Sequence, residues 1–235
     1  MSEYDILAKY EGLRLTDVCD GMDALRRQDI GLVAGDIRPL WRDIDNFAHR
    51  FCGLAYTVRF MPTARPVDAY EPADFETWKG NWYRTYAGGP PVDEIQKGDV
   101  IVIDGGEIGT VGFIGSNNGF AWIAAGAVGI VTNGGARDTD ELIKQRVPVY
   151  SRRVTQSIRP GRLELDSTQI PVNIGGVLVR PKDLVLADGD GVIIVPLEVA
   201  EEVAKHAWVV AEGDKRGRRR IYERLGREPD WTVDV

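Results

Sequence analysis

Arg137-Asp138, directly behind Gly134-Gly135-Ala136, sets a cation beside an anion at the end of an apolar run. Arginine grips a carboxylate or a 2-oxo group through parallel N–H donors. Aspartate ligates a hard divalent cation such as Mg²⁺, which keeps several of its waters. Together they suit recognition of a small, oxygen-rich anion. Taken alone, the dipeptide reads more simply as a surface ion pair whose aspartate caps the next helix.

Upstream stands Gly115-Ser116-Asn117-Asn118-Gly119, ahead of another apolar segment. Exposed N–H groups at a helix N-terminus bind carboxylate or phosphate. On spacing alone, ordinary capping by Ser or Asn is the simpler account. What links the two stretches is position. Each follows a strand, and in open parallel sheets ligands bind outside the carboxyl ends of strands. Gly105-Gly106 also follows an apolar strand and would let backbone approach a ligand. With Gly109, Gly112 and Gly115 it makes a glycine-rich bend.

Other chemistries find little support. No GK[ST] and no well-placed GxGxxG occur, which disfavours nucleotide binding. His49 and His206 adjoin no Ser or Cys motif, so a hydrolytic triad is not indicated. Asp188-Gly189-Asp190-Gly191 lacks the later ligands of a calcium loop and reads as a tight turn between strands. Cys19 and Cys52 form no CxxC, which argues against zinc and redox motifs and fits a reducing compartment.

The elements that must position these residues are legible from periodicity. Residues 3–27 read as two helices broken near Gly12, the second capped by Thr16. Residues 53–60 have strand composition. Residues 62–91 are Pro-rich at both ends with Phe75, Trp78, Trp82, Tyr83 and Tyr86 between. They read as a short helix in a long excursion: a lid, a subunit contact or a satellite of the core. From 98 to 152 the pattern runs strand, helix, strand, helix, strand, which is α/β with parallel neighbours. Residues 160–196 read as hairpins, and 197–225 as one long helix ending near Gly226.

The bulk numbers set outer bounds. The 235 residues suffice for one domain, 1–235, with a helical tail at 197–225. The net charge of -7 argues against a general nucleic-acid binder, and the run Lys215 to Arg220 is flanked by acids as on a solvated helix face. No apolar run reaches membrane-spanning length and the start of the chain has no signal-peptide pattern. The expectation is a cytoplasmic protein with no membrane partner.

The stretches Gly98 to Gly106, Gly115, and Gly129 to Asp138 resemble the RraA-like family, as do "LTDVCDGMDAL", "GLAYTV" and "LADGDGVIIVP"; the likeness covers most of residues 13–200. That family holds class II 4-hydroxy-4-methyl-2-oxoglutarate aldolases, oxaloacetate decarboxylases and regulators of ribonuclease E. The resemblance implies a layered β/β/α domain with flanking helices, assembled as a homotrimer or hexamer with sites between subunits. It implies that Arg137 binds and polarises a 2-oxo acid, that Asp138 binds Mg²⁺ or Mn²⁺, and that backbone amides of Gly115, Ser116, Asn117 and Asn118 hold the substrate carboxylate. Glu212 of the adjacent subunit matches the glutamate that completes the metal's water shell. The implied reaction is carbon–carbon bond cleavage leaving a pyruvate enolate. The alternatives are a non-catalytic regulator binding a protein partner, or a lyase or isomerase for an aromatic- or sugar-derived acid. Two departures stand out: Ser116 is neutral where the aldolases usually carry an acid, and the 62–91 excursion is long, so that its aromatics could line a larger pocket.

Overall fold

The computed structural model describes residues 3–106, 108 and 110–234. Gly109 of the glycine-rich bend lies outside the described residues. After a 3-10 segment, Glu3–Lys9, come helix α1 (Leu15–Ala24), strands β1 (Arg38–Pro39) and β2 (Phe51–Pro62), and helix α2 (Phe75–Thr85). The central run is β3 (Asp99–Asp104), β4 (Gly112–Ile114), α3 (Ser116–Ala125), β5 (Gly129–Ala136), α4 (Thr139–Lys144) and β6 (Val149–Val154). Then follow β7 (Leu163–Thr168), the hairpin β8 (Val172–Ile174) and β9 (Val177–Val179), the hairpin β10 (Leu184–Asp188) and β11 (Gly191–Val195), and α5 (Ala200–Leu225).

Among the described residues, nine strands make one mixed sheet in the order β1-β6-β5-β3-β2-β10-β11, with β4 beside β5 and β7 beside β2. Strands β2, β3, β5 and β6 run parallel, as the alternating strand–helix pattern requires. β10 and β7 pair with β2 antiparallel.

The period-two alternation of β3 sorts its side chains into two layers. Ile101 and Ile103 pack with Trp122 and Leu142 on the helical face. Val100 and Val102 pack with Val172, Ile174, Val177 and Val179 of the β8–β9 hairpin, which makes the second β layer. A third cluster joins α1 to α5 through Val18, Met22, Val203 and Ala207. The helices approach closely because Gly21 has no side chain; a Cβ there would lie 2.6 Å from the Val203 carbonyl.

Two boundaries differ from expectation. α1 starts at Leu15, so Thr16 lies inside the helix instead of capping it. The cap is made by Asp17, whose carboxylate accepts from the Arg14 backbone N–H at 2.9 Å while ion-paired to the Arg14 guanidinium. α5 begins after a 3-10 turn at Leu197–Val199. Its Gly226 C-cap is left-handed, as glycine allows. Asp188 to Gly191 is the tight turn joining β10 to β11. No helix among the described residues is long and apolar enough to cross a membrane.

Candidate active site

The parallel pairing of β4 with β5 brings the two sequence-selected stretches together. Gly112 pairs with Gly135 and Ile114 with Ala136, and the Arg137 N–H donates to the Ile114 carbonyl at 2.9 Å. The strand ends therefore deliver Gly115 and Asp138 to the same point.

Asp138 occupies the cap position of α4, yet its side chain makes no capping hydrogen bond. Its backbone is left-handed, φ +53°, a conformation that aspartate tolerates better than most residues but that still stores strain. That turn swings the carboxylate away from α4. Oδ2 accepts from the Ser116 N–H at 3.2 Å and Oδ1 from Arg137 Nε at 3.1 Å. The helix-cap reading of Asp138 is thus overturned. The ion pair is real, and it faces a cleft instead of open surface, with both side chains about one third exposed.

The cleft has a volume of about 380 Å³. It is lined by Gly115, Asn117 and Asn118 at the start of α3, by Arg137 and Asp138, by Gly112 and Phe113 of β4, by Ile158 and Arg159, and by Lys79 and Tyr83 of α2. Asn118 caps α3: its Oδ1 accepts from the Gly115 N–H at 2.7 Å and the Gly119 N–H at 3.1 Å. The first-turn N–H groups of Asn117 and Asn118 have no acceptor within the helix, as at any helix start. The side chain of Ser116 does not line the cleft.

Glycine explains the geometry at Gly112 and Gly115. A Cβ on Gly112 would lie 3.0 Å from Arg137 Cγ, and one on Gly115 would lie 2.7 Å from Asp138 Oδ2. Gly105 does something else. Gly105 and Gly134 flank the Phe113 ring, and a Cβ on either would lie 2.4 Å from it. Their close approach is to a core phenylalanine, not to a ligand. Asp104 ties this turn down, accepting from the Asn133 side chain at 2.9 Å, the Gly106 N–H at 2.9 Å and the Asn173 N–H at 3.1 Å.

Lys79 and Arg159 carry no mark in the sequence reading, whereas Tyr83 is one of the excursion's aromatics expected to line a pocket. Lys79 and Tyr83 are four apart on α2 and so share a face, the one signal available for Lys79. Of the aromatics in 62–91, Tyr83 alone lines the cleft. Trp78 stacks on Tyr70 at 4.6 Å, Trp82 lies 5.2 Å from Tyr86, and the Trp82 indole donates to the Leu163 carbonyl at 3.1 Å. They serve as packing for α2. Glu212 lies on α5 with its side chain half exposed, paired with Arg216 at 3.3 Å, and does not line this cleft within the chain. A larger cleft of about 640 Å³ opens between the N-terminal segment and β10, past Arg50, Asp188 and Trp231; it includes Leu186 to Asp188 of the stretch "LADGDGVIIVP" but shares no residue with the Asp138 cleft.

Lys79, Arg137 and Arg159 face Asp138 as the only acid among the residues lining the cleft. That balance favours an anionic ligand. Among the described residues no cluster of three or more His, Cys, Asp or Glu could enclose a metal ion. Zinc, which takes three or four protein ligands, does not fit. A hard cation held by one carboxylate, water and substrate oxygens does fit Asp138, since each carboxylate oxygen receives one hydrogen bond and keeps a lone pair.

The sequence matches the family model "RraA-like: Aldolase/RraA" over residues 15–194. The chain belongs to the RraA-like family. It is 34% identical over 182 residues to a Burkholderia mallei protein provisionally named 4-hydroxy-4-methyl-2-oxoglutarate aldolase, covering 76% of this chain and 93% of that one. It is 32% identical over 108 residues to the Thermus thermophilus 4-hydroxy-4-methyl-2-oxoglutarate aldolase, covering 45% of this chain and 63% of that one. Protein DlpA of Legionella pneumophila aligns over 85% of this chain at 24% identity, but this chain spans only 29% of DlpA. Among solved structures, Streptomyces coelicolor RraAS2, described as an unusual member of the RNase ES inhibitor RraA family, superposes with TM-score 0.73 at 24% identity, covering 92% of this chain and 98% of that one. The RraA-like family thus includes proteins named as aldolases and proteins named as RNase inhibitors, and the layered α/β fold is common ground.

Proposed function

We propose that this RraA-like protein is a divalent-metal-dependent lyase that cleaves a carbon–carbon bond in a 2-oxo acid, or in its aldol adduct, through a pyruvate-enolate-like intermediate. The observation that carries this reading is the turned Asp138 carboxylate, held beside Arg137 and the first turn of α3 in one cationic cleft. The Gly115 and Ser116 N–H groups, expected from the sequence to hold the substrate carboxylate, already donate to Asn118 Oδ1 and Asp138 Oδ2, so the 1-carboxylate lies on the N–H groups of Asn117 and Asn118, where the helix dipole favours negative charge. Arg137 donates to the 2-oxo oxygen. As the bond breaks, its electron pair moves onto that oxygen, and a preoriented guanidinium stabilises the growing charge more than it stabilises the ground state. A Mg²⁺ or Mn²⁺ ion held through Asp138 would supply Lewis-acid polarisation of the same oxygen. Asp138 also orients Arg137 through the Oδ1 contact. Neutral Ser116 adds no charge there, so metal binding depends on the substrate's own oxygens.

The active unit is a homotrimer or hexamer. On this reading Glu212 reaches the cleft of a neighbouring copy, which the exposure of its side chain permits. The cellular setting is the cytoplasm.

One observation favours a second reading. Ser116 leaves the site with a single carboxylate, which suits a non-catalytic RraA-type regulator that binds a protein partner. Pyruvate release decides between them. Oxaloacetate and 4-hydroxy-4-methyl-2-oxoglutarate are assayed with Mg²⁺, with Mn²⁺ and with EDTA. Turnover that EDTA abolishes supports the lyase. No turnover of either substrate with either metal removes it for these substrates and favours the regulator or a lyase for a different acid.

A further inference from the structure

Another cleft, of about 340 Å³, opens between Arg50 and α5 and adjoins the larger one at Phe47, Arg50 and Trp231. It shares no residue with the Asp138 cleft. Its lining is cationic: Arg14, Arg50, Lys215 and Arg218 face a single carboxylate, Asp17.

The four cations are unequally committed. Arg14 is ion-paired to buried Asp17 and, at 2.7 Å, to Asp214. Arg218 lies 3.7 Å from the same Asp214 and donates to the Thr232 carbonyl at 3.1 Å. Lys215 sits 5.7 Å from the Trp208 ring and joins no ion pair among the described residues. Arg50 is the least satisfied. Its Nε is buried without a hydrogen-bond partner, and among the described residues its guanidinium pairs with no carboxylate. Its charge centre lies 3.8 Å from the Phe47 ring, which Trp231 meets edge-on at 4.8 Å. A ring covers one face of a guanidinium but gives its N–H edge no strong acceptor. Asp188, at the boundary with the larger cleft, uses its two carboxylate oxygens for the Leu15 and Asp190 N–H groups. Burial works against the charged form of Arg50, yet arginine stays protonated in proteins.

Phe47 has φ +55°, a left-handed backbone that is rare for a bulky side chain. Such strain persists where the surroundings impose it, and it gathers at ligand clamps. The turn is closed by the Arg50 N–H on the Phe47 carbonyl at 2.8 Å, which keeps the ring and the guanidinium together. Around the cleft, Asp17 and Asp214 balance two of the four cations, so two positive charges are left for a ligand. A dianionic phosphoryl group matches that remainder, and arginine grips it through parallel donors.

We propose that this cleft is a second binding site, one that takes the phosphoryl group of a small phosphorylated molecule. Arg50 supplies the fork of donors, and Lys215 and Arg218 of α5 supply the rest of the charge. The site joins the Phe47 turn, α5 and Trp231, so an occupied site ties these three segments together.

Calorimetry on the assembled protein in EDTA tests it, because EDTA removes any metal that could recruit phosphate to Asp138. Inorganic phosphate and pyrophosphate are the probes, and acetate is the single-charge control. The wild type should bind pyrophosphate about tenfold or more tighter than acetate, and less tightly as NaCl is raised. Arg50→Gln should weaken pyrophosphate binding about tenfold or more. Lys215→Ala, on a half-exposed helix face, should weaken it about threefold, and Arg137→Ala should leave it unchanged. Pyrophosphate should raise the melting temperature of the wild type but not of Arg50→Gln. Without ligand, Arg50→Gln should melt at least as high as the wild type, because it removes a buried, unpaired charge. A merely structural Arg50 gives the reverse: a lower melting temperature with unchanged affinity. That result, a wild type that binds neither probe, or binding lost in Arg137→Ala and kept in Arg50→Gln overturns the site and leaves the lyase reading standing. If Arg50→Gln fails to fold, Lys215→Ala decides, and unchanged affinity there overturns the site.

Discussion

Asp138 reaches the cleft because Gly115 has no side chain. Gly115 is in ordinary extended backbone, φ -129°, so any residue could adopt its conformation. What forbids another residue is space: a Cβ would lie 2.7 Å from Asp138 Oδ2. Gly115→Ala should therefore push the carboxylate out of place without unfolding the protein. Turnover should fall by about ten- to a hundredfold while the circular dichroism spectrum is retained. Wild-type turnover in this variant would show that the position of Asp138 does not matter.

Arg137 gives a sharper chemical test. Arg137→Lys keeps the charge and loses the planar pair of donors. A drop in kcat/KM on the order of a hundredfold is expected, equivalent to roughly 3 kcal/mol of transition-state stabilisation. The guanidinium is one third exposed, so the fold should survive. Steady-state kinetics and a melting curve of the same preparation separate the two effects.

Metal affinity should respond to the residue at 116. Ser116 opens α3, and its N–H already contacts Asp138. Ser116→Asp adds negative charge at that helix start, where the dipole favours it. Titration of Mn²⁺ should show binding tighter by about ten- to a hundredfold. Oxalate should tighten binding to the wild type, because it brings oxygens that the chain lacks.

The pH dependence of stability should carry a signature of His49. The residue is 4% exposed and its Nδ1 accepts from the Asp43 N–H at 3.1 Å, so the folded state holds the neutral ring. Burial first, then Arg50 and Arg42, lower its pKa below the ordinary 6.5. A group whose folded pKa is depressed is protonated first in the unfolded chain. Its stabilising contribution is therefore present above the unfolded value and is lost as pH falls through the folded one. The melting temperature should drop as pH falls below the ordinary histidine value of about 6.5, and the drop should be shallower in His49→Asn. Equal slopes in the two proteins would assign the acid sensitivity to other groups.

Some of this was legible in the sequence for a local reason. The strand β5 and the pair Arg137-Asp138 are contiguous, and the apolar run, the glycines and the acidic helix start each have a short-range signature. The same logic misread two features. Asp138 reads as a cap because caps are local, whereas its left-handed turn is imposed by the β4–β5 pairing and the space at Gly115. Gly105-Gly106 reads as a ligand loop, whereas Phe113 fills the space beside Gly105. Arg159 has no sequence mark at all. Its burial is created by Phe60 of β2 and Tyr83 of α2, both far away along the chain.

The central claim is that Asp138 and Arg137 share one metal-assisted 2-oxo acid site. A crystal structure of the protein with Mn²⁺ and oxalate tests it most directly, because Mn²⁺ is located by its anomalous signal. The account predicts an anomalous peak ligated by the Asp138 carboxylate, with oxalate bridging the ion and the Arg137 guanidinium and its far carboxylate oxygens on the N–H groups of Asn117 and Asn118. An ion bound away from Asp138, or oxalate seated in the larger cleft beside Arg50, would contradict it.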